Sequence, residues 1–233
     1  MRHNGDIMAV GFRYRKTVTR VSQQLVDAFR ELPVANVSDC MARLTAAGPT
    51  LRPMHRQGSL AGPALTVRCR PGDNLMIHKA IDMAEPGDVI VVDGGGDLTN
   101  ALFGELMLAH ATKRGLGGFV IDGAVRDIKA IQSQDLPVFA AGITHRGPYK
   151  DGPGEVGFGI VIGGMSVGPG DLILGDWDGL VTIPASDAPA VLAAAQAKFQ
   201  SEIAAMAAIE AGQPDRSWID TTLARLGCEE INS

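Results

Sequence analysis

The sequence predicts an α/β core with an added antiparallel or mixed β layer and a helical tail. Two features of the chain support this prediction. Up to about residue 140, short apolar segments alternate with helical segments in the order β-α-β-α-β-α-β; after Gly152, short apolar runs are separated by glycine and aspartate turns. The first arrangement is typical of a sheet with helices packed against it, whereas the second indicates consecutive strands.

The predicted domain organisation follows from length and composition. The chain has 233 residues, of which 45% are hydrophobic and 20% are charged, and this composition is sufficient for one sizeable core. No Ser/Pro/Gly-rich linker and no internal repeat divides it. We therefore predict a single domain, in which 1–35 form an N-terminal helical extension, 36–184 form the α/β core and 185–233 form the C-terminal helices.

The segments before the core are predicted to be mainly helical. Residues 17–32 are expected to form an amphipathic helix, because apolar side chains recur there at helical spacing. A second helix is expected to begin near Asn36–Asp39, whose polar side chains can accept hydrogen bonds from first-turn amides. Residues 53–63 are rich in chain breakers and are predicted to be a loop. The apolar side chains of the first helix are Val21, Leu25, Phe29 and Leu32.

The first half of the core is predicted to contain two strands around one helix. Residues 64–69 alternate in polarity and include β-branched side chains, which is typical of a strand. Pro71–Asn74 is a predicted turn, and a helix that includes His78 follows it and ends before Pro86. Val89–Val92 is a continuous apolar run, as expected for a central strand that is covered on both faces.

The second half of the core continues this alternation. Asp93–Asp97, which contains three glycines, is expected to end the preceding strand. The elements predicted after it are a helix over about 99–113, a strand at Gly118–Ile121, a loop at Asp122–Val125, a helix over roughly 128–134 and a strand at Pro137–Ala140.

The C-terminal third changes from short strands to long helices. Residues 156–183 are predicted to be β-rich because Gly-Gly, Pro-Gly-Asp and Asp-Gly signals separate their short apolar runs. Residues 186–211 are rich in alanine and have few breakers, which predicts a long helix. Gly212–Pro214 is expected to end that helix, and a last helix is predicted over about 218–226.

Charge and cysteine usage exclude several classes of protein. The net charge is −5 and no basic stripe is present, which argues against nucleic acid as the main partner. Cys40, Cys69 and Cys228 are far apart, so neither a zinc knuckle nor a disulfide framework is predicted. No apolar run approaches the length that a bilayer span needs. We therefore expect a cytoplasmic location and no membrane partner.

The glycine cluster after the central strand has two possible interpretations. Gly94, Gly95 and Gly96 precede a predicted helix, and glycine allows a backbone to approach a ligand closely. A helix N-terminus there would suit a carboxylate or a phosphate. The alternative is a tight turn with no ligand. Because the three glycines are contiguous, they do not form the dinucleotide-binding pattern G-x-G-x-x-G.

Arg126 and Asp127 form the most informative pair in the chain. They follow a predicted buried strand and precede a helix, and ligands of α/β sheets bind at the carboxyl ends of strands. Arg126 can form two hydrogen bonds with a carboxylate or stabilise an enolate oxygen. Asp127 is a hard oxygen ligand that suits Mg²⁺ or Mn²⁺. The alternative is that Asp127 only caps the following helix, with Arg126 as a surface partner.

The spacing of these residues resembles a known signature. Twenty residues separate Glu105 from Arg126-Asp127, which is similar to the acid-x20-Arg-Asp pattern of class II pyruvate aldolases of the 4-hydroxy-4-methyl-2-oxoglutarate aldolase type. These enzymes share a fold with the regulator of ribonuclease E activity family. The resemblance is closest from 91 to 127 and includes Gly72–Asn74. The family pattern has aspartate where this chain has Glu105, so the charge is kept and the side chain is one methylene longer.

The resemblance implies a fold and an activity. The implied fold is a three-layer ββα swivelling sandwich that assembles as trimers or as hexamers. The implied activity is a lyase that cleaves a 4-hydroxy-2-oxo acid to pyruvate, with oxaloacetate decarboxylation as a side activity through the same enolate. The implied partner is therefore a small-molecule keto acid.

The resemblance also implies roles for particular residues. Asp127 would hold Mg²⁺ or Mn²⁺ largely through waters, and Glu202 would be donated to the metal site from the C-terminal helix of a neighbouring subunit. Arg126 and Glu105 would be catalytic, and the amides of Gly104, Glu105, Leu106 and Met107 would bind the keto acid together with Arg126.

Asn74 and His78 lie four residues apart on a predicted helix and hence on one face. They are candidates for the same pocket, although an isolated histidine is more often structural.

Two other functions compete with the aldolase. The first is a non-catalytic regulator that binds a ribonuclease or a helicase, which the shared fold allows. The second is a methyltransferase that acts on a quinone precursor, a name sometimes given to proteins of this type. The sequence has no recognisable cofactor loop to support the methyltransferase.

Overall fold

The structure is a computed structural model, and it describes residues 10–229 and residue 231. The first nine residues of the predicted N-terminal extension lie outside this description, as do residues 230, 232 and 233 of the predicted C-terminal segment. The chain divides into two compact units, Met1–Ala195 and Gln196–Ser233.

The described part of the chain contains short strands and seven helices. The strands are β1 (Phe12–Tyr14), β2 (Arg52–Pro53), β3 (Leu60–Cys69), β4 (Val89–Asp93), β5 (Ala101–Phe103), β6 (Gly118–Val125), β7 (Val138–Ile143), β8 (Gly154–Val156), β9 (Ile160–Ile162), β10 (Met165–Val167), β11 (Leu172–Gly175) and β12 (Leu180–Ile183). The helices are α1 (Gln23–Arg30), α2 (Val34–Cys40), α3 (Leu75–Met83), α4 (Glu105–Lys113), α5 (Ile128–Gln132), α6 (Ala188–Glu210) and α7 (Ser217–Leu226).

The central sheet is parallel from β3 to β7, and antiparallel pairing attaches β8 to β3 and β2 to β7. Its strands follow the order β1-β8-β3-β4-β6-β7-β2, and the neighbouring strands from β3 to β7 run parallel. The apolar residues of β4 and of the first half of β6 are buried on both faces, as expected for central parallel strands. The predicted strands at 89–92 and 118–121 are therefore confirmed.

The two faces of this sheet are covered differently. On one face, Ile90, Val92 and Ile121 pack in a core with side chains of α3 and α4. On the other face, Val91 and Val120 pack with side chains of β9 to β12. Strand β3 joins the layers, because its first residues pair with β11 and its last residues pair with β4 and β8. The resulting order of layers confirms the predicted ββα arrangement.

The predicted helix over 99–113 is wrong in its first turn. Residues 101–103 form β5, which pairs with the end of β6 in parallel orientation, and only residues 105–113 are helical. The side chains of Ala101, Leu102 and Phe103 are all buried. Pairing with β6 in the interior therefore outweighs the helical preference of the surrounding sequence.

Three other boundaries differ from the predictions for related reasons. The first helix begins at Gln23, where Ser22 Oγ accepts a hydrogen bond from Leu25 N–H, and residues 17–22 are not helical. Strand β3 begins at Leu60 because its pairing with β11 converts part of the predicted loop into sheet. Strand β6 continues through the predicted loop to Val125 because β5 and β7 pair with its last residues.

The predicted N-terminal extension contributes a strand as well as helix. Strand β1 pairs with β8 in parallel orientation and so adds to the central sheet. Within the C-terminal segment, α6 and α7 agree with the two predicted helices to within two residues at each end. No helix in the described part of the chain has the length and apolar character that crossing a bilayer requires.

Candidate active site

The predicted site residues meet at the carboxyl ends of the parallel strands. Strand β5 leads through Gly104 into α4, and β6 leads through Arg126 and Asp127 into α5. The two connections are joined by a backbone hydrogen bond, in which the main-chain N–H of Arg126 donates to the carbonyl oxygen of Phe103 over 3.0 Å. The parallel pairing of β5 and β6 is therefore what brings residue 105 to residues 126 and 127.

Asp127 is the residue that ties the two connections together. Its Oδ2 accepts a hydrogen bond from the backbone N–H of Glu105 over 2.9 Å. Although Asp127 stands at the N-cap position of α5, its side chain makes no capping bond to that helix. The alternative in which Asp127 only caps the following helix is therefore wrong, because the carboxylate caps α4, the helix before it in the sequence.

The backbone of Asp127 adopts an uncommon conformation. Its φ is 59° and its ψ is 43°, which is the left-handed region that costs a non-glycine residue free energy. Aspartate tolerates this region better than most residues. The conformation coincides with the turn of the chain that directs the carboxylate back toward α4. Strain of this kind is found most often at functional sites.

Gly104 is required by the close approach of these side chains. A Cβ atom at residue 104 would lie 2.6 Å from Asp127 Oδ2 and 3.0 Å from Arg126 Cγ. Its φ of −165° is open to any residue, so space and not backbone conformation demands glycine here. The Arg126 Nε lies 3.6 Å from Asp127 Oδ2, and both side chains are about 40% exposed.

A cleft of ≈ 90 Å³ lies beside this pair. Of the nine predicted site residues, six line it: Asn74, His78, Gly104, Leu106, Met107 and Arg126. The exposed Glu105 side chain and the Asp127 carboxylate do not line the cleft. They are next to it in the chain, because Glu105 precedes Leu106 on α4 and Asp127 follows Arg126. Glu202 lies on α6 in the second unit, where its carboxylate is 3.1 Å from Lys198 Nζ.

Asn74 presents an unsatisfied buried atom at this cleft. Its Nδ2 donates to the carbonyl oxygen of Leu102 over 3.0 Å and to Met107 Sδ over 3.4 Å. Its Oδ1 is buried and has no hydrogen-bond partner among the described residues. An unpaired buried carbonyl costs on the order of 1–3 kcal/mol, so this atom favours a bound donor.

His78 is half-buried in the wall of the cleft and is shifted toward its neutral form. Burial lowers the pKa of His78 below its ordinary value of 6.5, and the positive charge of Lys150 lowers it further. The carboxylate of Asp82 opposes these effects on the pKa, and His110 adds to them. The imidazole is therefore mostly neutral at pH 7.

The backbone amides at the N-terminus of α4 differ in their hydrogen bonds. The N–H of Glu105 donates to Asp127, and the N–H of Met107 donates to the carbonyl oxygen of Gly104 over 3.1 Å. The N–H of Leu106 has no acceptor in the described residues. The four amides predicted to bind a keto acid are therefore not equivalent: those of Glu105 and Met107 are engaged, whereas Leu106 N–H is available at the positive end of the helix.

Pro148 and Lys150 also line the cleft, and no pattern in the sequence predicts this. They lie on a loop that is anchored by Asp73, whose Oδ2 accepts hydrogen bonds from the N–H groups of Asp151 and Gly152. Two backbone bonds between Gly72–Asn74 and Tyr149 complete the attachment. The Gly-Asp-Asn motif was noted for its family resemblance, but nothing in it indicates which distant loop Asp73 holds.

The donor set at Asp127 fits a divalent cation that keeps most of its waters. The Asp127 carboxylate is a hard, partly exposed ligand, and only its Oδ2 is engaged by Glu105 N–H. Mg²⁺ is commonly bound by one or two carboxylates with several waters retained. Among residues 10–229 and 231, no three His, Cys, Asp or Glu side chains are grouped closely enough to hold an ion by themselves. Water and substrate oxygens would therefore complete any coordination shell here.

Comparison with known proteins places this α/β sandwich and its cleft in a family. The chain matches the family described as "RraA-like: Aldolase/RraA" over residues 34–182, a range that includes every cleft residue named above. A relative from Halalkalibacterium halodurans, named "Putative 4-hydroxy-4-methyl-2-oxoglutarate aldolase", is 41% identical over 173 residues, covering 74% of this chain and 82% of the relative. The chain belongs to the RraA-like family, as the resemblance implied.

Solved structures agree with this assignment. An uncharacterized protein from Pseudomonas syringae pv. tomato superimposes with a TM-score of 0.75 at 29% identity, covering 84% of this chain and 96% of that one. The RNA-processing inhibitor RraA from Thermus thermophilis superimposes with a TM-score of 0.62 at 31% identity, covering 66% of this chain and 93% of that one. The fold is thus shared by proteins whose names indicate different activities.

Proposed function

We propose that this protein is a divalent-metal-dependent lyase that cleaves a 4-hydroxy-2-oxo acid, such as 4-hydroxy-4-methyl-2-oxoglutarate, to release pyruvate. The name of the Halalkalibacterium halodurans relative supports a substrate of this class. The observation that carries the proposal is the hydrogen bond from Glu105 N–H to Asp127 Oδ2, because it holds a candidate metal ligand against the start of α4, next to Arg126 and beside the cleft.

In this proposal, the cleft binds the keto acid by its carboxylate and its keto oxygen. The guanidinium of Arg126 and the free N–H of Leu106 donate hydrogen bonds to these oxygens, and Asn74 Oδ1 accepts one from the bound ligand or its water. A divalent cation held by Asp127 would supply Lewis-acid polarisation of the keto oxygen when it is bound. Arg126 also faces the negative charge that develops as the C3–C4 bond breaks, and such preorganised stabilisation is usually the largest contribution to catalysis.

Glu105 is assigned to proton transfer at the C4 hydroxyl. Glu105 is the first residue of α4, and its side chain is exposed. Through one water molecule, its carboxylate can accept the proton that leaves the C4 hydroxyl as the C4 carbonyl forms. Loss of CO₂ from oxaloacetate gives the same enolate, so the same residues would support oxaloacetate decarboxylation.

The direct test is metal-dependent pyruvate release. The purified protein would be incubated with 4-hydroxy-4-methyl-2-oxoglutarate, or with oxaloacetate, and pyruvate would be followed by lactate dehydrogenase and NADH oxidation. We expect release that stops when EDTA is added and returns with an excess of Mg²⁺ or Mn²⁺. The absence of pyruvate with either substrate and every divalent metal tried would show that the proposal is wrong.

One observation favours a second function. The Thermus thermophilis protein that shares this fold is named an RNA-processing inhibitor, so the second candidate function is a scaffold that binds a ribonuclease or a helicase without catalysis. In that case, Arg126→Ala and Asp127→Ala should leave partner binding unchanged. Co-purification with a tagged ribonuclease E, compared for the wild type and both variants, distinguishes this function from the lyase.

A further inference from the structure

His78 separates two cavities. On one side is the cleft of ≈ 90 Å³ that contains Arg126. On the other is a cavity of ≈ 100 Å³ between α3 and α4, lined by His78, Ile81, Asp82, Met107 and His110. His78 and Met107 belong to both walls, and of these two side chains only the imidazole can accept and release a proton.

The His78 ring is free to make new hydrogen bonds on both sides. Neither ring nitrogen has a hydrogen-bond partner in residues 10–229 and 231, although the side chain is half-buried. A structural histidine normally has such partners, as His55 does with Val138 and Gly58. A neutral imidazole has one donor and one acceptor nitrogen, which is the arrangement that a proton relay needs.

The second cavity leads toward exposed polar groups. Asp82 and His110 both lie at the surface on facing helices, so this cavity connects His78 with solvent on the side away from Arg126. The groups that act electrostatically on His78 are Asp82 on its own helix, His110 on α4 and Lys150 on the anchored loop.

We propose that His78 carries protons between C3 of pyruvate bound in the cleft and solvent in the cavity beside Asp82 and His110. This inference rests on the proposed function, because it takes pyruvate as the molecule in the cleft. When His78 accepts the proton, the C3–H bond breaks, its electron pair remains on the enolate and an N–H bond forms. The proton then leaves through the second cavity. Reversal of these steps returns a solvent proton to C3 and ends a cleavage cycle.

The first test measures exchange of the pyruvate methyl protons. Wild-type protein with Mg²⁺ and pyruvate in D₂O should replace the methyl protons by deuterium, followed by loss of the methyl signal in proton NMR. His78→Gln should slow this exchange about 100-fold, which is within the usual contribution of general acid-base catalysis. Added imidazole should restore part of the rate. An exchange rate in His78→Gln equal to that of the wild type would overturn the proposal.

The second test uses the neighbours of His78 and does not depend on the folding of a His78 variant. The exchange needs the neutral imidazole, so its rate should fall at acidic pH, where His78 becomes protonated. This fall is the acidic limb of the pH–rate profile. Asp82→Asn removes the charge that raises the pKa of His78 and should move the acidic limb to lower pH. His110→Gln removes a charge that lowers it and should move the limb to higher pH. If the acidic limbs of Asp82→Asn and His110→Gln coincide with the acidic limb of the wild type, the relay is contradicted.

A matched control separates local from general charge effects. Asp135→Asn removes the same charge as Asp82→Asn but lies before β7, at the opposite end of the sheet, and should leave the limb in place. If the wild type neither releases pyruvate from a hydroxy keto acid nor exchanges the methyl protons, the proposed function itself is wrong. If the wild type does both and the His78 and neighbour variants behave like it, only the relay is wrong.

Discussion

The two ends of the parallel sheet differ in a way that cavity size does not indicate. At the amino ends of β6 and β7 lies the larger space, a groove of ≈ 840 Å³ whose walls include Arg30 and several glycines. At the carboxyl ends lies a cleft of only ≈ 90 Å³. Yet the unpaired Asn74 Oδ1 lies in the wall of the smaller space, and the strained backbone of Asp127 adjoins it. What distinguishes this end of the sheet is therefore the combination of an unsatisfied group, a strained residue and a charged side chain beside one cleft, and not volume.

The largest expected effect concerns the two arginines at opposite ends of the sheet. Arg126→Ala should lower kcat/KM for pyruvate release by about 10²–10³-fold, the usual loss when a preorganised charge-stabilising donor is removed. Arg30→Ala, in the large groove, should leave it within about twofold. Coupled pyruvate assays and circular dichroism on both variants would check this. Equal losses would mean that the ends of the sheet do not differ in function.

The next effect compares two crowded glycines, of which Gly104 faces side-chain atoms and Gly117 faces backbone atoms. Gly104→Ala would force a Cβ against Asp127 Oδ2, and Gly117→Ala would force one against the carbonyl oxygen of Gly87. Both should lower the free energy of unfolding, by about 1–3 kcal/mol for overpacking. Only Gly104→Ala should also reduce the activity of each folded molecule. Urea unfolding together with active-site-normalised rates gives both quantities, and an inactive Gly117→Ala of native stability would contradict this distinction.

A smaller effect distinguishes the two roles of Asp127. Asp127→Asn keeps an oxygen that can accept from Glu105 N–H, whereas Asp127→Ala removes it. Loss of a helix cap costs about 1 kcal/mol, so the alanine variant should be less stable than the asparagine variant by that amount. Both should lose metal-dependent pyruvate release. If the two variants unfold at the same urea concentration, the hydrogen bond to α4 contributes nothing to stability.

The smallest effect concerns the carboxylate of Asp122, which lies in the second half of β6. Burial and the nearby Asp93 raise the pKa of Asp122 above its ordinary value of 3.8, so its charge destabilises the folded state at pH 7. Asp122→Asn should therefore raise the free energy of unfolding at pH 7. The gain should shrink as pH falls and vanish below about 3.8, where both states of the wild type are protonated. A gain that is unchanged at low pH would assign the effect to packing.

The sequence was most informative where one physical signal dominated. Continuous apolar runs identified β4 and β6 because central parallel strands must be buried on both faces. Strand β5 was missed because three residues carry too little pattern, and its strand conformation depends on a partner from β6. The spacing of Glu105 and Arg126-Asp127 predicted that these residues belong together. That Asp127 reaches back to α4 could not be predicted, because it follows from a left-handed backbone conformation that aspartate only tolerates.

The residues of the cleft also differ in whether a local sequence pattern predicts them. Asn74 and His78 were found because helical spacing alone places them on one face. Lys150 was missed because its position depends on Asp73, whose carboxylate holds residues almost eighty positions away in the sequence. Contacts of that range are set by the assembled sheet, and no local pattern around Lys150 records them.

The loop that carries Lys150 is attached to the rest of the protein by backbone hydrogen bonds and not by the Lys150 side chain. Residues 149, 151 and 152 are fastened through their backbone atoms, while the side chains of Pro148 and Lys150 face the cleft and take no part in the fastening. Because the attachment uses no atom of the Lys150 side chain, we expect that side chain to be exchangeable without a change in the path of the chain. A substitution at position 150 would therefore alter the charge of this wall of the cleft and leave the strands that position Arg126 and Asp127 unchanged.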